Sequence, residues 1–144
     1  MKEGGGPLQS LPAALSGTFK RQHPFEARKT LSAKMRAVYP LHFPLVVERR
    51  GRGDPPLPKS RFLVAGEKRV AEALAQIRGE MSLAPHEALF FLARGQMVNP
   101  GETILRLHER ASDEDGFLYL VYSREDSFGG LGRPGEPRKN FAAE

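Results

Sequence analysis

The backbone most open to chemistry lies near the C-terminus, where DEDGFLYLVYSREDSFGGLGRPGEPRKNFAAE passes from an apolar strand through Phe128-Gly129-Gly130 into a polar tail containing Pro and Gly. A glycine has no Cβ and can present an unhindered carbonyl or carboxyl to acyl chemistry. On those three residues alone, however, the plainer reading is a strand terminator ahead of a tail that cannot pack. The DEDG run at 113–116 gathers carboxylates but lacks the alternating ligands and closing glutamate of a calcium loop, so it reads as the turn into the last strand. His23, His42, His86 and His108 are scattered without metal-ligand spacing, and no nucleotide-binding or nucleophile-elbow motif occurs. The chain has no cysteine, which excludes disulfides, thiolate zinc sites and a thiol nucleophile of its own. No catalytic residue and no metal site is therefore expected, and the protein is read as a non-enzyme whose thiol chemistry must come from partners.

The elements that must position the C-terminal strand follow from composition and periodicity. At 144 residues, with 40% apolar and 27% charged, the chain has room for one soluble domain with one real core. Its formal charge of +5 would allow attraction to anionic lipid, nucleic acid or acidic peptides, and by itself favours none of them. MKEGGGPLQSLPAALSGT lacks the apolar core of a secretory signal, and its second residue is Lys2, not the glycine that myristoylation requires; residues 1–18 are expected to be a disordered leader. The longest apolar run, ALFFLA from Ala88 to Ala93, is strand length and far short of the roughly 18 residues of a membrane span. A cytoplasmic protein is expected.

PFEARKTLSAKMRAVYP reads as a basic helix with Phe25, Leu31, Met35 and Val38 on roughly one face, stopped by Pro40. HFPLVVE alternates as a strand, with Phe43, Leu45 and Val47 on one side and Pro44, Val46 and Glu48 on the other. RRGRGDPPLP is turn chemistry whose arginines are expected to be solvated, and KSRFLVAG resumes a strand, making a long-looped hairpin. RVAEALAQIRGEM, with Val70, Leu74, Ile77 and Met81 at helical spacing, is the expected main buried helix. EALFFLA and GFLYLVY read as strands covered on both faces, separated by a short helix near Glu102 to Glu109. The fold class is α+β: a β-grasp with a four-stranded mixed sheet, one main packed helix, and an N-terminal helical layer on the second face.

In order and spacing, FKRQHPFEARK, FPLVVER, KSRFLV and DEDGFLYLVYSREDSFG resemble the autophagy ubiquitin-like modifiers, closest to the microtubule-associated protein light chain branch. HPFE is also similar to the GABA-receptor-associated branch. The resemblance runs from about Phe19 to Gly129. It implies a ubiquitin-like domain over 19–129 with two additional N-terminal helices, and a removable disordered tail over 130–144. It also implies a cytoplasmic precursor that a processing cysteine protease cuts between Gly129 and Gly130. Activating and conjugating enzymes would then carry the Gly129 carboxyl on their own cysteines and pass it to phosphatidylethanolamine on the autophagosomal membrane. That covalent lipid is the only non-protein group implied; no cofactor is. Gly130 stays an alternative conjugation site, because ubiquitin itself ends in a double glycine.

The resemblance implies a second activity, capture of cargo and receptor peptides carrying an aromatic residue and, three positions on, an aliphatic one. KSRFLV would be a sheet edge on which such a peptide adds a strand. Carried over by position, the aromatic pocket uses Met35, Pro44, Val46, Arg61, Leu63 and Phe117, and the aliphatic pocket uses Phe62, Val64, Ala65, Ala73 and Ile77. Lys59 and Arg61 would attract acidic residues that precede the motif. Ala65 stands where the family usually has proline and Ala73 where it has a larger apolar residue; Gln76 and Glu80 also depart from the light-chain pattern. One alternative is a peptide-binding scaffold that is never conjugated, located on the cytoskeleton, with its basic N-terminal helix against tubulin or microtubules. A basic nucleic-acid binder is the third reading, and no aromatic strand signature of the RNA-binding type supports it.

Overall fold

The computed structural model describes residues 15–124. Two helices, α1 (Thr18–Gln22) and α2 (Phe25–Val38), precede a hairpin of β1 (His42–Arg49) and β2 (Arg61–Ala65). Helix α3 (Val70–Arg78), β3 (Leu89–Ala93), β4 (Gln96–Met97), α4 (Ile104–Ala111) and β5 (Leu118–Arg124) follow. The sheet order is β2-β1-β5-β3-β4, with β1 and β5 parallel and the other neighbouring pairs antiparallel.

The expected four-stranded sheet has a fifth strand. Arg94 (φ 50°) and Gly95 (φ 77°) are consecutive left-handed residues that turn the chain back tightly, so Gln96 and Met97 pair with Ala93 and Leu92. A two-residue strand carries no periodicity to read.

Strand β1 is buried on both sides, as its two usable faces require. Phe43, Leu45 and Val47 enter the main core with Val70, Ala73 and Ile77 of α3, Ile104 and Leu107 of α4, and Leu118, Leu120 and Tyr122 of β5. Val46 joins Phe19 and Phe117 in a second cluster, with Leu31, Met35 and Tyr119 packed against it. Helix α3 ends at Arg78, earlier than expected, and Met81 is buried just beyond it.

Three expectations need correction. The buried face of α2 carries Arg28 and Ser32, while Val38 is 67% exposed and Phe25 only half-buried, because α2 is seated by polar contacts on the 113–117 turn. Arg28 Nε donates to Asp115 at 2.8 Å, Arg28 Nη1 donates to the His23 carbonyl at 2.7 Å, and Ser32 Oγ donates to the Asp115 carbonyl. Gly116, at φ 95°, has no room for a Cβ beside Ser32. Secondly, β5 is not covered on both faces: Tyr119 and Val121 are half-buried, and a cavity of about 550 Å³ opens against them between Lys20, Arg50, Leu92 and Arg94. Thirdly, the 50–60 loop is not merely solvated. Arg50 and Arg52 are exposed, but Arg49 donates to the carbonyls of Arg52 and Asp54, and buried Asp54 accepts from Ser123 Oγ, Arg124 N–H and Gly51 N–H.

The N-terminal boundary also moves. Residues 15–18, assigned to the leader, belong to the folded unit: Leu15 bridges to Arg49, Ser16 N–H donates to the Arg49 carbonyl, and α1 starts at Thr18. The α1 helix is held by Glu48, whose buried carboxylate accepts the Gly17 and Phe19 N–H groups at 2.9 Å each. Burial raises the Glu48 pKa against the pull of those two bonds.

Candidate functional site: the β2 edge

Among the described residues strand β2 has β1 as its one neighbour in the sheet, so its other side is an edge. The register places Leu63 opposite Pro44 and Arg61 opposite Val46, which brings these four to the face covered by α2. Below them lies the cluster of Phe19, Val46 and Phe117, its rings edge-on at 5.3 Å between the Phe19 and Phe117 centroids. Pro44, Val46 and Phe117 are buried, whereas Met35, Arg61 and Leu63 are half-buried. The six residues assigned to the aromatic pocket therefore divide into a closed apolar floor and a rim that solvent reaches.

His23, which sequence reasoning set aside, belongs to this neighbourhood. Its ring lies 4.8 Å from that of Phe19, and its pKa is lowered by burial and by the charges of Arg61 and Arg28. Burial also lowers the Arg61 pKa, although a guanidinium keeps its charge at neutral pH. Lys59 is exposed at the start of the edge, with its ammonium 4.9 Å from the Phe62 ring centroid. Of the two cations assigned to acidic flanks, Arg61 thus stands at the rim of the aromatic set, whereas Lys59 lies against Phe62, on the other face of β2.

The aliphatic set lies on the opposite face. Phe62, Val64, Ala73 and Ile77 are all buried in the main core between β2 and α3, and Ala65 is half-buried at the strand's end. Glu80 is exposed beyond α3.

Sequence reasoning also missed the polar hub under the aromatic floor. Asp115 accepts from Arg28, from the Phe117 N–H at 2.8 Å and from the Tyr119 hydroxyl at 2.5 Å. Burial, and then the bond to Asp115, hold the Tyr119 pKa far above its usual value. The available signal was Arg28 at helical spacing from Leu31, Ser32 and Met35, together with the acidic run 113–115.

Gly129 and Gly130 lie outside the described residues. Among the described residues no helix is long and apolar enough to cross a membrane, and no grouping of His, Asp and Glu could hold a metal ion.

A five-stranded mixed sheet, with its main helix across one face and two N-terminal helices across the other, defines a ubiquitin-like β-grasp protein. The family model for the ubiquitin-like autophagy protein Atg8 matches residues 27–129, and the chain belongs to that family. Autophagy-related protein 8d of Arabidopsis thaliana is 33% identical over 113 residues, spanning 78% of this chain and 94% of its own length. Autophagy-related protein 8 of Mycosarcoma maydis is 34% identical over 118 residues, spanning 81% of this chain and all of its own. Among solved structures, that of Trypanosoma brucei ATG8 superposes with a TM-score of 0.70 at 29% identity, covering 74% of this chain and 93% of that one. These similarities fix the family without assigning the light-chain branch. The protein is an autophagy ubiquitin-like protein.

Proposed function

We propose that this protein is a ubiquitin-like modifier, itself without catalytic activity, that is cut after Gly129 and joined there to phosphatidylethanolamine. On the membrane it recruits cargo receptors through aromatic-x-x-aliphatic motifs. The processed domain ends at Gly129, residues 130–144 are the discarded tail, and the precursor is cytoplasmic until lipidation takes it to the autophagosomal membrane. Two acyl chains supply the two-signal anchoring that a peripheral protein needs. The protease, the activating enzyme and the conjugating enzyme supply the cysteines this chain lacks.

The observation that carries peptide capture is the way the two faces of β2 match the motif's spacing. Residues three apart on a strand point to opposite faces. At the β2 edge the aromatic set (Pro44, Val46, Leu63) lies toward α2, and the aliphatic set (Phe62, Val64) lies toward α3. An added strand running parallel to β2 would send its aromatic side chain to one face and its aliphatic side chain to the other, while the free edge supplies main-chain hydrogen bonds.

The test is calorimetric titration of a synthetic peptide with an acidic flank and a Trp-x-x-Leu core against the wild-type protein and Leu63→Ala. Loss of affinity in a folded variant that is still lipidated is the expected result. Unchanged affinity would remove β2 as the capture edge. Failure of the wild type to become lipidated would instead favour the unconjugated scaffold.

A further inference from the structure

We infer that Glu48 is a positioning residue for peptide capture: its carboxylate clamps the start of α1 and so holds the Phe19 ring against the floor of the aromatic pocket, without itself reaching the peptide. This rests on the peptide-capture reading of β2. Glu48 follows Val46 by two residues on β1, and the strand period turns both side chains to the face covered by the N-terminal helices. The two carboxylate oxygens are divided between two donors: Oε1 accepts the Gly17 N–H and Oε2 the Phe19 N–H, at 2.9 Å each. Phe19 thus has its backbone fixed by Glu48 while its ring joins Val46 and Phe117, the floor residues, in one cluster. That ring also lies 4.8 Å from the ring of His23 and 6.4 Å from that of Tyr119. Glu48 itself is 3% exposed, out of a peptide's reach.

Helix α1 depends on this clamp. Its five residues are too few for a helix to persist on its own. No side chain at Gly17 caps it, so the N–H groups of Gly17 and Phe19 fall to Glu48. Ser16 N–H donates to the Arg49 carbonyl, which ties down the chain ahead of the helix. Within the helix, Lys20 pairs with Asp113 at 2.6 Å, but the lysine side chain is 43% exposed and such a pair contributes little. At the far end Arg28 Nη1 donates to the His23 carbonyl. The bonds to Glu48 are charge-assisted, and an amide of the same shape could not replace them. It has one acceptor oxygen and would turn an NH₂ donor toward the second N–H. The start of α1 would then loosen together with Phe19, leaving Val46 and Phe117 without the ring that backs them.

The experiment titrates two peptides with an acidic flank, one with a Trp-x-x-Leu core and one with Ile-x-x-Leu. Each is titrated against four full-length proteins: wild type, Glu48→Gln, Phe19→Leu and the double variant. The preference for Trp over Ile is the readout, because partial unfolding lowers both affinities by the same factor and leaves their ratio unchanged. Glu48→Gln is expected to reduce the preference by roughly three- to tenfold, as it would if Phe19 stayed seated in about a third to a tenth of the molecules. Amide exchange at 17–22 should also quicken in that variant, while exchange in β1 and β5 does not. Phe19→Leu is expected to reduce the preference as well, and the double variant no further, since two residues acting through one ring are not additive. An unchanged preference in Glu48→Gln or in Phe19→Leu would overturn the inference, as would additive losses; Phe19→Leu decides alone if the amide variant does not fold. A wild type that does not bind the Trp peptide, or does not prefer it, would instead overturn the peptide-capture reading of β2 and the inference with it.

Discussion

Asp115 concentrates more of the architecture than any residue of the pockets it supports. Its carboxylate is fully buried, takes Arg28 at 2.8 Å, and orders both Phe117 and Tyr119. Removing one partner of a buried pair leaves the other charge uncompensated, so Asp115→Ala is expected to cost about 3 to 5 kcal/mol in denaturant unfolding. Because Phe117 lies in the floor of the proposed aromatic pocket, the surviving folded protein should also bind peptide more weakly. His108 gives a pH prediction. Its ring nitrogen Nε2 meets the Gly116 carbonyl at 2.9 Å, its ring lies against Phe43, and burial lowers its pKa below 6.5. The unfolded chain therefore takes up a proton at this group more readily than the folded one. The stability that depends on neutral His108 is complete above pH 6.5 and is lost as pH falls through the folded pKa. His23 shifts in the same direction. Thermal melts between pH 7.5 and 5 should show a falling midpoint, and His108→Gln, which cannot titrate, should flatten part of that slope; an unchanged slope would assign the pH dependence to other groups.

At the scale of elements, the aliphatic side of the edge is built more tightly than positional reasoning implied. Ala73 is 1% exposed within the core formed by β2 and α3, so Ala73→Leu inserts methylenes into filled space and should destabilise by about 1 to 3 kcal/mol. Glu80→Arg acts on an exposed side chain, so any gain in affinity for acidic peptides should appear at low salt and fade as salt is raised. Denaturation of the first variant and salt-dependent titration of the second separate the packing effect from the charge effect. The same contrast explains how much was legible in the sequence. Alternation along HFPLVVE placed both faces of β1 correctly, and the stripe of Val70, Ile77 and Met81 marked the buried side of α3 and the turn after it. The face of α2 was not legible because Arg28 and Ser32 occupy it, and a polar buried face has no apolar period. Asp54 was equally hidden, since nothing in RRGRGDPP says that its carboxylate turns inward to the end of β5.

On the scale of the whole molecule, the parallel pairing of β1 and β5 puts the last described residues of β5 at the opposite end of the sheet from the start of β1. The described part of β5 ends at Arg124, at the end of the sheet where Arg49 pairs with Tyr122. There Asp54 and the Gly53 carbonyl hold Ser123 and Arg124. Leu41 and Gly66 lie at the opposite end of the β1–β2 hairpin. Peptide capture and lipidation should be separable by mutation: Leu63→Ala impairs the first alone, and Gly129→Ala abolishes the second while leaving peptide affinity intact. Gly130→Ala should be much milder, since the proposed cleavage discards that residue. The most direct test of the modifier reading is the mass of the C-terminal peptide from membrane-bound protein. A fragment ending at Gly129 and carrying phosphatidylethanolamine is the expected result, and a membrane form retaining residues 130–144, or carrying its lipid on Gly130, would contradict it.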